Sequence, residues 1–443
     1  MQFNSIPFIF YFFPLFLAVY YLIPRKGRSA VLVLGSLLFY WMSGSQKLWP
    51  LGLLVAMMVL TYLLGLEIEK GRSGLLLGLS MTFMAGLLIF FKLYQGGKFL
   101  PAGLSFYLFQ MAAYLIDVYR RRLPAERNLL AYGAQSVMFP KLLSGPLVEP
   151  QKLQANNHNI GFADHIFHRG LQELILGLGL KVLLADRVGG LWAQAGVIGY
   201  ESISTPFAWL SLLSYTLRLY FDFYGYSLMA VGIGRMLGYY LPMNFLQPYS
   251  AKSVSDFYRR WHASLGAWFR EYIYIPLGGN RKGNFRTALN LIAVWAFTGF
   301  WHGVGGNYLV WALFLCVLIL NERFWLRKLL DKTYVLGHVY TVFMILLSWV
   351  PFAIGDWNQM AIFLGKLFGV CAKALNPNDY VIWLKDYGVL LSIGVLFATP
   401  LPQKLWDKFR ENAFADVLLF VLFWVVVYFA ATSASDPFMY FQY

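Results

Sequence analysis

The sequence predicts an all-α polytopic membrane protein. Of its 443 residues, 59% are hydrophobic and 13% charged, against about 25% charged in soluble domains. Runs without a formal charge recur along the whole chain, at 1–24, 48–66, 73–91, 287–321, 333–355 and 417–435. Each is close to, or longer than, the ~20 residues that a helix needs to cross the hydrocarbon core. Backbone groups in lipid must pair within their own segment, so runs rich in Leu, Phe and Val become helices. The period-2 alternation of a membrane β-barrel is absent.

The elements follow in order. The apolar run Met1–Pro24 has no cationic n-region before it and no small-residue cleavage site, so it is expected to be a retained first span. Arg25, Lys26 and Arg28 come next, and the positive-inside rule puts them in the cytoplasm and Met1 outside. Residues up to about 90 read as roughly four plain apolar segments. From Phe99 the apolar pieces shorten, and "FPKLLSGPLVEP" carries Pro140, Gly145 and Pro146, which interrupt a helix. Non-helical backbone at membrane depth survives only where protein buries it or a cavity solvates it, so re-entrant or broken helices lining a central site are expected. Asn156–Arg169 is the most polar stretch and reads as an exposed loop. Residues 205–234 and 287–321 return to membrane character, and the last ~110 residues add about three more spans. No internal repeat or soluble module interrupts the chain, which reads as one integral domain, 1–443.

The net charge of +15 sits in short basic linkers between apolar runs. That distribution orients loops toward the cytoplasm and anionic headgroups and argues against nucleic acid as a partner. Cys316 and Cys371 lie in apolar sequence, too few for a disulfide framework and without metal-ligand spacing, so both read as packing residues.

Two histidines carry the strongest chemical signal. His262 lies in "DFYRRWHASLGAWFREYIYIPLGGNR". Ser253 or Ser255 is available as N-cap for a helix reaching about Tyr272. Phe257, Trp261, Trp268 and Tyr272 would then occupy about a face and a half, with Arg259, Arg260 and Arg270 on the rest. Such a helix is an interfacial anchor, or an electropositive mouth for a phosphate-bearing substrate that His262 orients. The glycine-rich loop that follows, with Arg281, can bring N–H groups to an anion but lacks the Gly-Lys-Ser/Thr ending of a P-loop. His302 lies in "FTGFWHGVGGNYLVW", inside the charge-free run 287–321. A titratable group at such depth points to function; its task would be to take a proton from an attacking hydroxyl, the alternative being a packing histidine bonded to a carbonyl. His158, His165 and His168, with Glu173 nearby, read as a solvated cluster rather than a metal site, and His338 as a packing residue. No Ser-His-Asp arrangement stands out.

These motifs, with "FPKLLSGPL" and the opening "FNSIPFIFYFFPLFLAVYYLIP", resemble the membrane-bound O-acyltransferase superfamily, in its bacterial branch of alginate and peptidoglycan O-acetylation proteins. The resemblance runs over essentially the whole chain. It implies a ring of about 11 or more tilted helices with re-entrant segments around a central funnel. It also implies that His302 is the catalytic base and His262 the second functional histidine. On the reading of the basic segment as an electropositive mouth, Arg259, Arg260, Trp261 and Arg281 are candidate donor-binding residues. The activity implied is acyl transfer from a cytoplasmic thioester, acetyl-CoA as co-substrate with no bound cofactor or metal, toward hydroxyls of a secreted or cell-wall polysaccharide. An extracytoplasmic SGNH-type transferase would be the partner and a bacterial cytoplasmic membrane the location. The ending "SDPFMYFQY" resembles an aromatic tail of this branch and of small partners in D-alanyl transfer, which makes Tyr440 a possible acyl acceptor; the other reading is an aromatic anchor at the interface. D-alanyl transfer, lipid-directed acyl transfer and polysaccharide transport without chemistry are the rival functions.

Overall fold

The computed structural model describes residues 1–44, 47–158, 163–370, 374–432 and 438. Every element among them is helical, and packing divides the chain into two compact units.

The first unit holds Met1–Leu178, Gly225–Met243 and the C-terminal segment from Leu422. It opens with a π-helical turn at Phe8–Phe12 running into α1 (Phe13–Leu22), then α2 (Arg28–Ser43), α3 (Leu48–Gly71), α4 (Gly74–Leu93) and α5 (Leu104–Tyr119). Pro24 cannot donate to a continuing helix, and a 3₁₀ corner at Arg25–Gly27 separates α1 from α2. Between α3 and α4, Arg72 adopts a left-handed conformation and Ser73 caps α4 through the Leu76 N–H at 3.1 Å. Phe3, Phe8, Phe39 and Phe139 interlock, all at most 1% exposed.

After α6 (Leu129–Val137) comes the single turn α7 (Phe139–Leu142). Residues 143–149 are then non-helical, and 143–148 are buried. Here the expected break is found, with the physical device that permits it. Gln110 of α5 donates from Nε2 to the Val148 carbonyl at 2.9 Å and accepts the Val148 N–H at 3.2 Å, replacing partners the helix no longer supplies. The polar stretch read as a loop is narrower than expected. α8 (Pro150–His158) enters it, and α9 (Asp164–Gly179) takes His165 and His168 into a helix. Glu173 pairs with Arg235 at 2.8 Å.

The second unit holds Gly179–Tyr224 and Asn244–Val421. A π-helical turn at Leu180–Ala185 leads into α10 (Asp186–Ile198), then α11 (Thr205–Met236), whose last residues belong to the first unit. α12 (Val254–Arg260), α13 (Ala263–Phe269) and a π-helical turn at Arg270–Tyr274 precede a hairpin of α14 (Gly283–His302) and α15 (Gly306–Asn321). α16 (Arg327–Lys332), α17 (Tyr334–Ala353), α18 (Trp357–Leu367), α19 (Asp379–Ala398), α20 (Leu401–Phe409) and α21 (Ala413–Thr432) complete the chain.

Among the described residues, six helices are long and apolar enough to cross a membrane: Leu48–Gly71, Gly74–Leu93, Gly306–Leu330, Val335–Ala353, Asp379–Ala398 and Ala413–Thr432. Other apolar elements are shorter, as are Phe8–Leu22 and Leu104–Tyr119, or bury polar side chains, as α11 does with Asp222. The chain is a multi-pass membrane protein.

Candidate active site

His302 is the last residue of α14, which stops because Gly303 continues in extended conformation and Gly305 precedes the start of α15. The hairpin closes tightly at Gly299, one turn earlier. A Cβ there would lie 2.9 Å from both the Ala312 Cβ and the Tyr308 carbonyl oxygen, so only glycine lets α15 approach this closely. The glycines of this motif therefore serve helix packing first. The His302 imidazole is 5% exposed and sits edge-on among three aromatic rings, with centroids 4.6 Å from Trp301, 4.9 Å from Trp311 and 5.2 Å from Phe352. Phe352 comes from α17, and Asn307 of α15 donates to the neighbouring Pro351 carbonyl at 3.0 Å.

His262 is placed differently from the sequence expectation. Ser253 caps as foreseen, accepting the Asp256 N–H at 3.0 Å, but the helix does not continue to Tyr272. It ends at Arg260; Trp261 is extended and His262 is left-handed, with φ 48° and ψ 48°. This conformation costs a non-glycine residue about 1–2 kcal/mol, so the surroundings must hold it. Asn244 does so. Its carbonyl accepts the Ala263 N–H at 2.9 Å. Its Oδ1 accepts the Ser264 N–H at 3.2 Å, the Ser264 hydroxyl at 2.6 Å and His262 Nδ1–H at 3.3 Å. The Leu246 N–H donates to the Arg260 carbonyl at 3.0 Å, so the broken backbone is paired across to the 244–246 segment.

The other end of α12 is held by Glu322, which is 3% exposed. Its carboxylate accepts the Val254 N–H at 2.6 Å, the Ser255 N–H at 2.9 Å and the Ser255 hydroxyl at 2.7 Å. A negative charge at a helix N-terminus meets both its unpaired N–H groups and its dipole. The stretch leading to His262 is thus fixed at both ends, once from the end of α15 and once from Asn244.

The His262 ring is 4% exposed and stands edge-on to Phe223 at 4.7 Å. It lies in the break between α12 and α13, outside the membrane-length helices. Burial holds its imidazole well below the usual histidine range, so the ring is neutral. With Nδ1–H given to Asn244, the lone pair of the neutral ring is on Nε2. The sequence placed His262 on a basic helical face at a pathway mouth; the structure buries it beside Trp301. The Trp301 indole lies 6.3 Å from the His262 ring and 4.6 Å from the His302 ring. The sum of those distances bounds the separation of the two imidazole centroids at 10.9 Å.

The candidate donor-binding residues divide. Arg259 and Arg281 are exposed. Arg260 is bonded to Asp256 at 3.0 Å and to the Ser250 hydroxyl at 3.1 Å. Trp261 is buried against Phe245, Phe257 and Trp349, with ring centroids 5.0, 5.4 and 5.2 Å away, a packing role. His338 donates from Nδ1 to the Ala251 carbonyl at 3.2 Å, and Cys316 is buried. Tyr440 and Cys371 lie outside the described residues; Phe438, which is described, stacks on Tyr226 at 4.4 Å.

Three groups escaped the sequence reading: Asn244, Glu322 and the buried pair Lys181–Asp222. Lys181 Nζ lies 2.6 Å from Asp222 and 2.6 Å from Asp186, with the Lys181 and Asp222 side chains 3% and 2% exposed. Asp222 directly precedes Phe223, which contacts His262. The available signal was position. Asp222 is the lone acid of the apolar stretch 205–234, and Glu322 is the first charge after the run 287–321; an acid in such a setting has a partner or a task.

The family model for the membrane-bound O-acyltransferase family matches residues 73–345, which contain both histidines. The chain is 35% identical to a "Probable alginate O-acetylase" of Azotobacter vinelandii over 516 aligned positions, covering 100% of each chain. It is 34% identical to a protein of the same name from Pseudomonas fluorescens, over 83% of this chain and 76% of the relative. Its identity to a "Peptidoglycan O-acetyltransferase" of Helicobacter pylori is 33%, over 90% of this chain and 86% of the relative. With a buried histidine pair about one tryptophan inside a broken-helix membrane fold, the chain belongs to the membrane-bound O-acyltransferase family and is an acyltransferase.

Proposed function

We propose that this enzyme moves an acetyl group from a cytoplasmic thioester, acetyl-CoA, toward hydroxyls of a secreted or cell-wall polysaccharide. The observation that carries the reading is the placement of two buried imidazoles against one indole, within 10.9 Å of each other. One closes the 20-residue helix α14 and the other sits on a strained, doubly clamped turn. Strained backbone that its surroundings over-determine in this way clusters at functional sites. The relatives named for O-acetylation of alginate and peptidoglycan supply the acetyl group and the glycan acceptor class.

In this reading His302 takes the proton of the acceptor hydroxyl as its oxygen attacks the thioester carbonyl carbon. The new C–O bond forms, the C–S bond breaks, and the departing thiolate recovers the proton from the imidazolium. Three aromatic rings around His302 exclude water, which would otherwise compete with the acceptor for the acyl group. Arg259 and Arg281, exposed and basic, face the solvent from which a phosphate-bearing donor arrives. The basic linkers point inward in a bacterial cytoplasmic membrane, and an extracytoplasmic SGNH-type transferase completes delivery to the glycan.

The test is His302→Ala, with release of free CoA from acetyl-CoA as the readout. The rate is expected to fall by at least about 10²-fold, with protein yield and thermal transition near wild type. A wild-type rate in that variant overturns the assignment.

A further inference from the structure

Asn244 has a second half that its structural role leaves unused. Its side chain is 1% exposed, and its Oδ1 carries three hydrogen bonds. One donor among them, the Ser264 backbone N–H, can only donate, so the oxygen must occupy that position and the amide cannot be turned over. The amide nitrogen therefore points away from the turn, and Nδ2 is buried without a hydrogen-bond partner. Two N–H donors are thereby held in the interior beside the buried His262 imidazole. Buried donors are nearly always paired, and one that is not calls for an acceptor brought from outside.

We infer that Asn244 Nδ2 is an oxyanion donor: it binds the carbonyl oxygen of the incoming acyl thioester and holds the negative charge that develops there. The inference rests on the thioester reading above and deepens it. As the acceptor oxygen bonds to the carbonyl carbon, the C=O π electrons move onto oxygen, and the Asn244 N–H stabilises them. When the intermediate collapses the C=O re-forms, the C–S bond breaks and the thiolate leaves. A donor fixed in advance costs no reorganisation during the reaction and strengthens where water is absent. The same amide then does two jobs. Its oxygen sets the His262 turn, and its nitrogen waits for the substrate, so the position of one histidine and of the oxyanion site are tied through a single planar group. The requirement is a carbonyl-bearing donor; a phosphoryl or sugar-nucleotide donor would give this nitrogen no acceptor at the reacting carbon.

The experiment separates the two halves of the amide. Asn244→Asp keeps an oxygen acceptor for His262 and Ser264 but replaces the donor, and Asn244→Ser keeps an acceptor in a shorter side chain without the second donor. In steady-state assays of CoA release, kcat is expected to fall by 10²-fold or more in both, with KM for acetyl-CoA within about threefold of wild type. Ser264→Ala, which removes the hydroxyl bond to the amide oxygen and keeps the amide nitrogen, is expected to keep kcat within about threefold. A spectroscopic arm reads the contact directly. Acetyl-CoA labelled with ¹³C at the carbonyl, bound to the slow His302→Ala protein, should show its C=O stretch at lower frequency than in solution. The shift should vanish when Asn244→Asp is added. An unchanged band, or a kcat within threefold of wild type in a folded Asn244→Asp or Asn244→Ser protein, overturns the inference while leaving the thioester reading in place. A wild-type enzyme that neither binds nor cleaves acetyl-CoA overturns the thioester reading, and this inference with it.

Discussion

Replacing His262 by Asn separates the turn from the chemistry. Asparagine tolerates the left-handed conformation that His262 adopts, φ 48° and ψ 48°, so the α12–α13 break should survive. What is lost is the imidazole, edge-on to Phe223 at 4.7 Å and 6.3 Å from Trp301. Aromatic contacts of this kind are worth about 0.5–1.5 kcal/mol each, so the variant should be destabilised by roughly 1–3 kcal/mol, within the stability reserve of a folded domain. Turnover, measured as CoA release and as acetyl transferred to polysaccharide, should fall by about 10²–10⁴. His262→Gly, where φ above zero is free of strain, serves as the folding control with the same expected loss of turnover. Acid provides an independent reading. Burial depresses the folded-state pKa of His262, whereas the unfolded chain binds its proton near pH 6.5. The unfolded state then holds more protons below that pH, so wild-type stability should decline on acidification below about 6.5, at up to ~1.4 kcal/mol per unit. The His262→Asn protein should show a shallower decline. Full turnover in a folded His262→Asn protein would reduce His262 to a turn residue and refute the assignment.

Two further outcomes follow from packing and charge. Gly299→Ala places a methyl group 2.9 Å from Ala312 Cβ and from the Tyr308 carbonyl, which should cost about 1–3 kcal/mol. It should also depress kcat through His302 three residues on; a variant with lowered melting temperature but unchanged kcat would contradict that coupling. Lys181→Met removes the cation that lies 2.6 Å from both Asp222 and Asp186. The expected loss is about 3–5 kcal/mol in thermal unfolding, with the double variant K181M/D222L recovering at least half, because removing both charges removes the desolvation that the pair offset. Equal destabilisation of the single and double variants would refute the pairing.

How much was legible depends on the range of the cause. The interruption at Pro140–Pro146 was visible because proline and glycine act on their own backbone, and the buried non-helical stretch lies there. The Gln110 side chain that satisfies it is 38 residues from Val148, and no local pattern pairs them. The break at His262 was missed for the same reason. Trp261, His262 and Ala263 carry no helix-breaking residue, and the conformation is imposed by Asn244, 18 residues earlier. The polar stretch 156–169 misled in the other direction: charges read as a loop are helical from Asp164 onward, with Glu173 paired to Arg235.

Composition alone decided that this chain lives in a bilayer, since the cost of burying unpaired backbone leaves apolar runs of that length no form but the helix. The two histidine motifs likewise marked the candidate site, because polar groups in apolar sequence are costly and point to a task. Their relation was decided only by tertiary structure. Which residue breaks the His262 helix, which acid caps it, and that one indole serves both imidazoles are contacts between segments far apart in the chain. Each of these polar atoms had several conceivable partners in the sequence. The choice among them is made by packing, which brings the atoms that hold the candidate site within hydrogen-bond distance and leaves the Asn244 amide nitrogen buried.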